Sequence, residues 1–232
     1  MINLQSKKIT IDIVSDVVCP WCYVGKKRLE EALTEIGNPE DVEINWHPFQ
    51  LDPTIPEEGM DREAYFIKKF GDAGKIRQMF DHLTNVGKEA GIEFRLDAIS
   101  KSINTFSLHK LLHVAGEEGF KAEAEELFFK AYFTEGKDLS DVTILVEILS
   151  GFGWYEEKIK NIMADDSIGY QVRQEINHYQ GMGVSGVPFF ILNNKYGLSG
   201  AQPAEVFVQA LTTVREEMLV EANGEVCGPD GC

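Results

Sequence analysis

The sequence predicts an α/β fold in which two β-rich ends pair into one sheet around a large all-helical insertion. Three observations point there. Strand-like patterning is confined to residues 9–47 and 189–198, helical apolar spacing fills the middle, and Cys19-Pro20-Trp21-Cys22 stands between the first strand and the first helix. Neither β-rich end is long enough to fold alone, so residues 1–61 and 181–222 form a discontinuous sheet domain. Residues 62–180 form the inserted helical domain, and 223–232 a tail.

The elements follow in order. Ile9, Ile11 and Ile13 alternate with polar neighbours, giving a first strand at 9–14; a helical pattern runs over 26–36. Residues 42–47 read as a second strand, and 48–56 as an extended loop broken by prolines. Helical spacing then recurs at 65–70, 76–86, 106–114, 127–133, 144–149 and 168–179, with glycines between. Strands return at 189–192 and 196–198 around Asn193-Asn194-Lys195, a hairpin turn, and Pro203 opens a last helix to about residue 222.

A chain of 232 residues with 44% hydrophobic content can bury a full core, and no apolar stretch is long enough to span a membrane. The formal charge of −16 argues against nucleic acid, since binding a phosphate backbone needs a basic stripe and none is visible in the sequence. The acid-rich run 117–126 reads as a solvated helix face. Residues 1–16 lack the apolar region and cleavage site of a signal peptide, which points to the cytoplasm. In that reducing compartment the four cysteines, which fall into two close pairs, read as working thiols.

A dithiol at a strand-to-helix junction suits thiol–disulfide exchange. Unpaired N–H groups of the first helical turn favour a thiolate on Cys19, with an expected pKa of roughly 3.5–7.5. Pro20 suits the first helical position because its missing N–H has no partner there. Cys22, three residues on, shares the helix face and can close or resolve a disulfide. The alternatives are a purely structural disulfide, which would close too small a loop to constrain the unfolded chain much, and half of a zinc site.

Four separated motifs carry a resemblance: Ser15-Asp16-Val17-Val18-Cys19-Pro20-Trp21-Cys22-Tyr23-Val24-Gly25, Pro48-Phe49-Gln50-Leu51-Asp52-Pro53, Asn104-Thr105 with His109, and Gly186-Val187-Pro188. In this order they resemble the thioredoxin superfamily, its DsbA-like branch with a helical insertion, and within it the FrnE-type cytoplasmic oxidoreductases. The resemblance implies that Cys19 attacks, Cys22 resolves, and Pro188 is the cis-proline beside the dithiol. Pro20, Trp21 and Val187 would meet the substrate, the Val187 backbone by β-augmentation. Asn104 and His109 would face the substrate cleft.

Two departures stand out. Thioredoxin and DsbA carry an acidic residue six positions before the first cysteine, where this chain has Ile13. Asp12 and Asp16 are out of register, so deprotonation of Cys22 needs another group or water. Trp21 replaces the histidine of DsbA, which implies a dithiol less oxidising than DsbA, between roughly −120 and −270 mV.

Two further motifs are set aside. Residues 181–186 fit G-x-G-x-x-G but follow a helix and precede a strand, the reverse of a dinucleotide fingerprint. His109 and His113 share a helix face but lack a third metal ligand.

Cys227 and Cys232 flank Pro-Asp-Gly turn chemistry and can pair in an exposed, labile disulfide. FrnE-type proteins imply exchange between such a pair and the main dithiol; a four-thiolate zinc site and a disordered tail are the alternatives. The last helix carries the chain roughly 30 Å away and the tail reaches at most about 33–36 Å back, so transfer between molecules, in a homodimer or in passing, competes with transfer within one.

The expected function is a disulfide oxidoreductase or isomerase acting on thiol- or disulfide-bearing proteins or small thiols. It would need no cofactor beyond its own disulfide, with a cellular reductant such as glutathione. A glutathione-dependent isomerase of the 2-hydroxychromene-2-carboxylate type or a kappa-type glutathione transferase is one alternative; such enzymes typically have serine in place of Cys19. A redox-regulated chaperone or zinc-binding protein is the other.

Overall fold

The computed structural model describes residues 8–37 and 39–224 of the chain. Strand β1 (Ile9–Ser15) lies at the centre of a four-stranded sheet of order β2-β1-β5-β6. It runs parallel to β2 (Val42–Pro48) and antiparallel to β5 (Phe189–Leu192), which turns back into β6 (Tyr196–Ser199). The register sets Ile11 opposite Leu192 and Ile13 opposite Phe190.

The alternation in β1 separates two cores. Ile9, Ile11 and Ile13 join Phe190, Leu192, Phe207 and Leu211 in the main core, whereas Val14 joins Phe49, Tyr179, Val184 and Ile191 in a smaller cluster. Helices α1 (Pro20–Glu35) and α9 (Ala204–Gly224) pack against one another beside the sheet. On the small-cluster side, His47 of β2 bonds Asp12 through Nε2 at 2.9 Å and Glu175 through Nδ1 at 2.7 Å.

The β5–β6 turn uses the freedom that asparagine has to enter the left-handed region. Asn193 and Asn194 have φ of 49° and 54°, and the Lys195 N–H closes the turn on the Leu192 carbonyl at 2.9 Å. The Asn193 side chain also accepts the Thr10 N–H at 2.8 Å, tying the hairpin to the start of β1.

Between β2 and β5 lie α2 (Arg62–Phe70), α3 (Ala73–Glu89), α4 (Phe106–Glu117), α5 (Lys121–Phe133), α6 (Val142–Leu149), α7 (Glu156–Ala164) and α8 (Asp166–Gly181). The stretch expected to be wholly helical holds one short strand: β4 (Lys101–Ser102) pairs with β3 (Met60–Asp61). Two residues are too few to show a period of two, which is why the pattern does not reveal them. Helix α7 is also unannounced, because its stripe amounts to two buried residues, Ile159 and Ile162, among charged neighbours.

The insertion is anchored where α5 meets α1 and β2. Tyr23 of α1 stacks on Phe129 of α5 at 5.1 Å and meets Phe94 edge-on at 6.3 Å, and Trp46 of β2 meets Phe129 at 6.5 Å. Each buried aromatic pair adds about 0.5–1.5 kcal/mol beyond the area it removes from water. This packing fixes the start of α1, and with it the dithiol, against α5. Among the described residues, no helix is long and apolar enough to cross a membrane.

Candidate active site

Cys19 is the N-cap of α1, with Pro20 in the first turn. Its backbone is extended (φ −91°, ψ 107°), and its carbonyl accepts the N–H groups of Cys22 at 3.0 Å and Tyr23 at 3.4 Å. The side chain therefore stands at the positive end of the helix dipole. Cys22 lies beneath it: the two residues approach to 3.3 Å and both are free cysteines. The Cys19 thiol points to the Val187 carbonyl at 3.6 Å, and the Val187–Pro188 peptide bond is cis. Pro188 Cγ would lie 3.2 Å from a Cβ on Gly25, so a glycine on α1 lets the proline segment approach the helix closely.

In front of Cys19 a cleft of about 350 Å³ opens, with Pro20, Trp21 and Val187 on one side and Tyr65, Phe66, Met79 and Phe80 on the other. Trp21 is 36% exposed and its ring lies 5.9 Å from His82. The cleft is mainly apolar but holds a half-buried guanidinium. The Arg62 guanidinium lies over the rings of Phe66 (4.7 Å) and Phe80 (5.3 Å) and donates to the Tyr132 hydroxyl at 3.3 Å. Its Nε is buried without a hydrogen-bond partner among the described residues, and burial pulls its pKa below the ordinary arginine value.

A family profile described as a DSBA-like thioredoxin domain matches residues 10–212. The chain belongs to this family. A solved structure described as a "probable DsbA oxidoreductase" from Streptomyces coelicolor is 34% identical to it, with 97% of this chain and 98% of that one covered at a TM-score of 0.80. The uncharacterized protein YwbO of Bacillus subtilis is 28% identical over 205 residues, covering 88% of this chain and 96% of that protein. The cytosolic disulfide reductase DsbM of Pseudomonas aeruginosa, solved with GSH, shares the fold at 18% identity and a TM-score of 0.61, with 89% and 99% covered.

In this DSBA-like chain the residues expected at the cleft divide. Pro20, Trp21 and Val187 line it, but Asn104 and His109 do not. Asn104 braces the loop after β2, accepting from Gln50 at 3.1 Å and donating to the Ile55 carbonyl at 2.6 Å. His109, 3% exposed, donates from Nε2 to the Phe49 carbonyl at 2.8 Å and stands 3.4 Å from Asp16 Oδ1. Both shape the wall from behind; Thr105, between them in sequence, is the one that reaches the cavity. His113 lies 3.8 Å from Glu117 and 4.0 Å from Glu175, apart from the dithiol. Cys227 and Cys232 lie outside the described residues.

Behind the dithiol the DSBA-like fold buries polar groups at the end of β1 and on α5. Ile13 is buried core, and Asp12 is engaged with His47 on the opposite face of β1. Asp16 is 1% exposed and its Oδ2 accepts the Leu51 N–H at 2.8 Å. Glu125 of α5 is 2% exposed and accepts the Ser15 hydroxyl at 2.9 Å. It sits in the acidic run read as a solvated face, but its place three and four positions before Phe128 and Phe129 sets it on the buried stripe of α5, a signal available in the sequence.

Proposed function

We propose that the protein catalyses thiol–disulfide exchange on small thiols and disulfide-bearing peptides or proteins, with Cys19 attacking and Cys22 resolving. The observation that carries this reading is the asymmetry of the pair. Cys19 opens onto the cleft at a helix N-terminus, and Cys22 lies 3.3 Å away with no access of its own. The Cys19 thiolate attacks one sulfur of a substrate disulfide, the S–S electron pair leaves with the other sulfur, and a mixed disulfide remains at Cys19. The Cys22 thiolate then attacks Cys19 Sγ, forming the internal disulfide and releasing the substrate thiolate, which takes a proton from water. An external reductant returns the pair to dithiol.

The cleft supports glutathione or a similar carboxylate-bearing thiol as that reductant, because its apolar walls surround a guanidinium that lacks a full set of partners. The four motifs quoted above support the FrnE-type subdivision, and with it a cytoplasmic setting and an auxiliary role for the Cys227 and Cys232 pair. The test is turnover. Catalytic insulin reduction coupled to glutathione supports exchange, glutathione-dependent isomerisation without insulin reduction supports an isomerase, and client holding without turnover supports a chaperone.

A further inference from the structure

The guanidinium in the cleft wall has no acid to answer it. The chain carries 38 acidic residues against 22 Lys and Arg, yet among the described residues no carboxylate pairs with Arg62; burial and the Tyr132 hydroxyl are what act on its charge. A guanidinium offers five N–H donors. Among the described residues Nη1 finds an acceptor, at Tyr132, while Nε lies buried with none. A half-buried cation without a counter-charge is costly. The faces of Phe66 and Phe80, at 4.7 and 5.3 Å, offset part of that cost but accept no strong hydrogen bond.

The fold nevertheless holds this side chain at the cavity. Arg62 is the first residue of α2, and its N–H bonds the Ser100 carbonyl at 3.1 Å. Just before it the strand pair sets Met60 opposite Ser102, and Asp61 caps the helix by accepting the Ala64 N–H at 2.8 Å. Tyr132 of α5 donates in turn to the Lys101 carbonyl of β4 at 3.0 Å. The short strands β3 and β4 thus serve as a mount for Arg62. Lys69 and the two carboxylates on the same cavity are already engaged: Lys69 donates to the Tyr65 hydroxyl at 2.7 Å, Tyr65 donates to Asp52 at 3.0 Å, and Asp16 accepts the Leu51 N–H at 2.8 Å and stands 3.4 Å from His109. Cys19 opens onto that cavity too.

We propose that Arg62 is the specificity-determining residue of the cleft, binding the carboxylate of a small disulfide or thiol whose sulfur faces Cys19. The assignment deepens the exchange reading above and rests on it. The planar fork of N–H groups matches a carboxylate, and apolar walls strengthen the pair by keeping water away. An uncharged thiol gains nothing from Arg62, and a cationic one is repelled. The anchored carboxylate takes no part in the electron transfer: the Cys19 thiolate attacks the near sulfur, and the far sulfur leaves as thiolate with the electron pair of the broken S–S bond.

The experiment compares one disulfide with and without its charge. Reduced protein is mixed with oxidised glutathione or with its ethyl ester, the same disulfide with the carboxylates capped. Loss of the reduced dithiol is followed by acid quench and mass spectrometry. Each rate is divided by that of dithiothreitol with the same disulfide, which removes the intrinsic difference between the two. The parent should favour the charged disulfide by on the order of tenfold, and the preference should shrink as salt is raised. Arg62→Gln should bring the preference to within about twofold of unity, and Arg62→Lys, a charge without the fork, should retain part of it.

A merely structural Arg62 would slow both disulfides alike, so a preference in Arg62→Gln equal to the parent's would overturn the assignment. Insulin, as a third oxidant, separates a small carboxylate from one on a polypeptide. Its rate relative to the capped ester should change by no more than about twofold in Arg62→Gln, and a loss matching that of oxidised glutathione would overturn the small-molecule class. If neither variant folds, the parent decides alone: equal normalised rates for the two disulfides, insensitive to salt, overturn the site. A parent whose dithiol neither disulfide oxidises overturns the exchange reading itself.

Discussion

The dithiol stands between two helical walls of opposite construction. On the inner side, α4 and α5 bury Leu108, Leu111, Leu112, Phe128, Phe129 and Phe133 almost completely. On the cleft side, α2 buries no residue fully, α3 buries Ile76, Leu83 and Gly87, and Ile67, Phe70 and Met79 remain exposed. The difference teaches where each half of the chemistry is done. Tight packing holds Cys22 in a dry setting with fixed distances, whereas sparse burial leaves the wall in front of Cys19 at the low end of local stability.

The largest effect that could break this comparison comes from the thiols themselves. Cys19→Ser should abolish disulfide reduction, whereas Cys22→Ser should keep the attack and accumulate mixed disulfides, read by mass spectrometry. Equal adduct formation through Cys22 in the Cys19→Ser variant would show that both thiols face substrate, and the two walls would lose their separate roles.

Next come the walls. Phe129→Ala should cost about 3–5 kcal/mol in denaturant unfolding, because the ring is fully buried and partners Tyr23 and Trp46. Met79→Ala, on the opposite wall and 42% exposed, should change stability by no more than about 0.5 kcal/mol while raising KM for apolar substrates about threefold. Similar stability losses for the two would sink the distinction.

A separate effect lies beyond both walls, at Glu175. Burial raises its carboxyl, but the His47 hydrogen bond and the charges of Lys121, His47 and His113 together hold it below the usual 4.5. A lowered native pKa places this stabilisation above the unfolded value and removes it as pH falls through the native one. Glu175→Gln should therefore cost about 1 kcal/mol at neutral pH, and the gap to the parent should close as the solution is acidified below 4.5. A gap that widened in acid would contradict the assignment.

Much of this was readable from the chain because it rests on local signals. The period of two in Ile9, Ile11 and Ile13, the paired asparagines at 193 and 194, and Pro20 behind Cys19 each state a backbone geometry directly. The cleft wall was legible as helix, but not as wall, since the position of α2 and α3 over Cys19 depends on contacts far apart in sequence. Asn104 and His109 were placed in the right neighbourhood but behind its surface, because a motif reports proximity and not which way a side chain turns. Glu125 was hidden by its company: charge in a run suggests solvent, and only the apolar residues one turn later show that this carboxyl faces inward.

The junction of the hairpin with β1 joins Thr10 to Asn193, 183 positions apart. Synthesis from the N-terminus therefore makes the dithiol helix early and its partner strand almost last. Until residues 189–192 emerge, one edge of β1 has no neighbour, and Cys19 waits without the carbonyl of Val187 beside it. The helices between them rest largely on nearby contacts and can assemble meanwhile, while closure of the sheet bears the entropy of a very long loop. A chain built in this order carries Cys19 without its β5 neighbour through most of its synthesis, and its two remaining cysteines, at 227 and 232, follow only after the sheet can close.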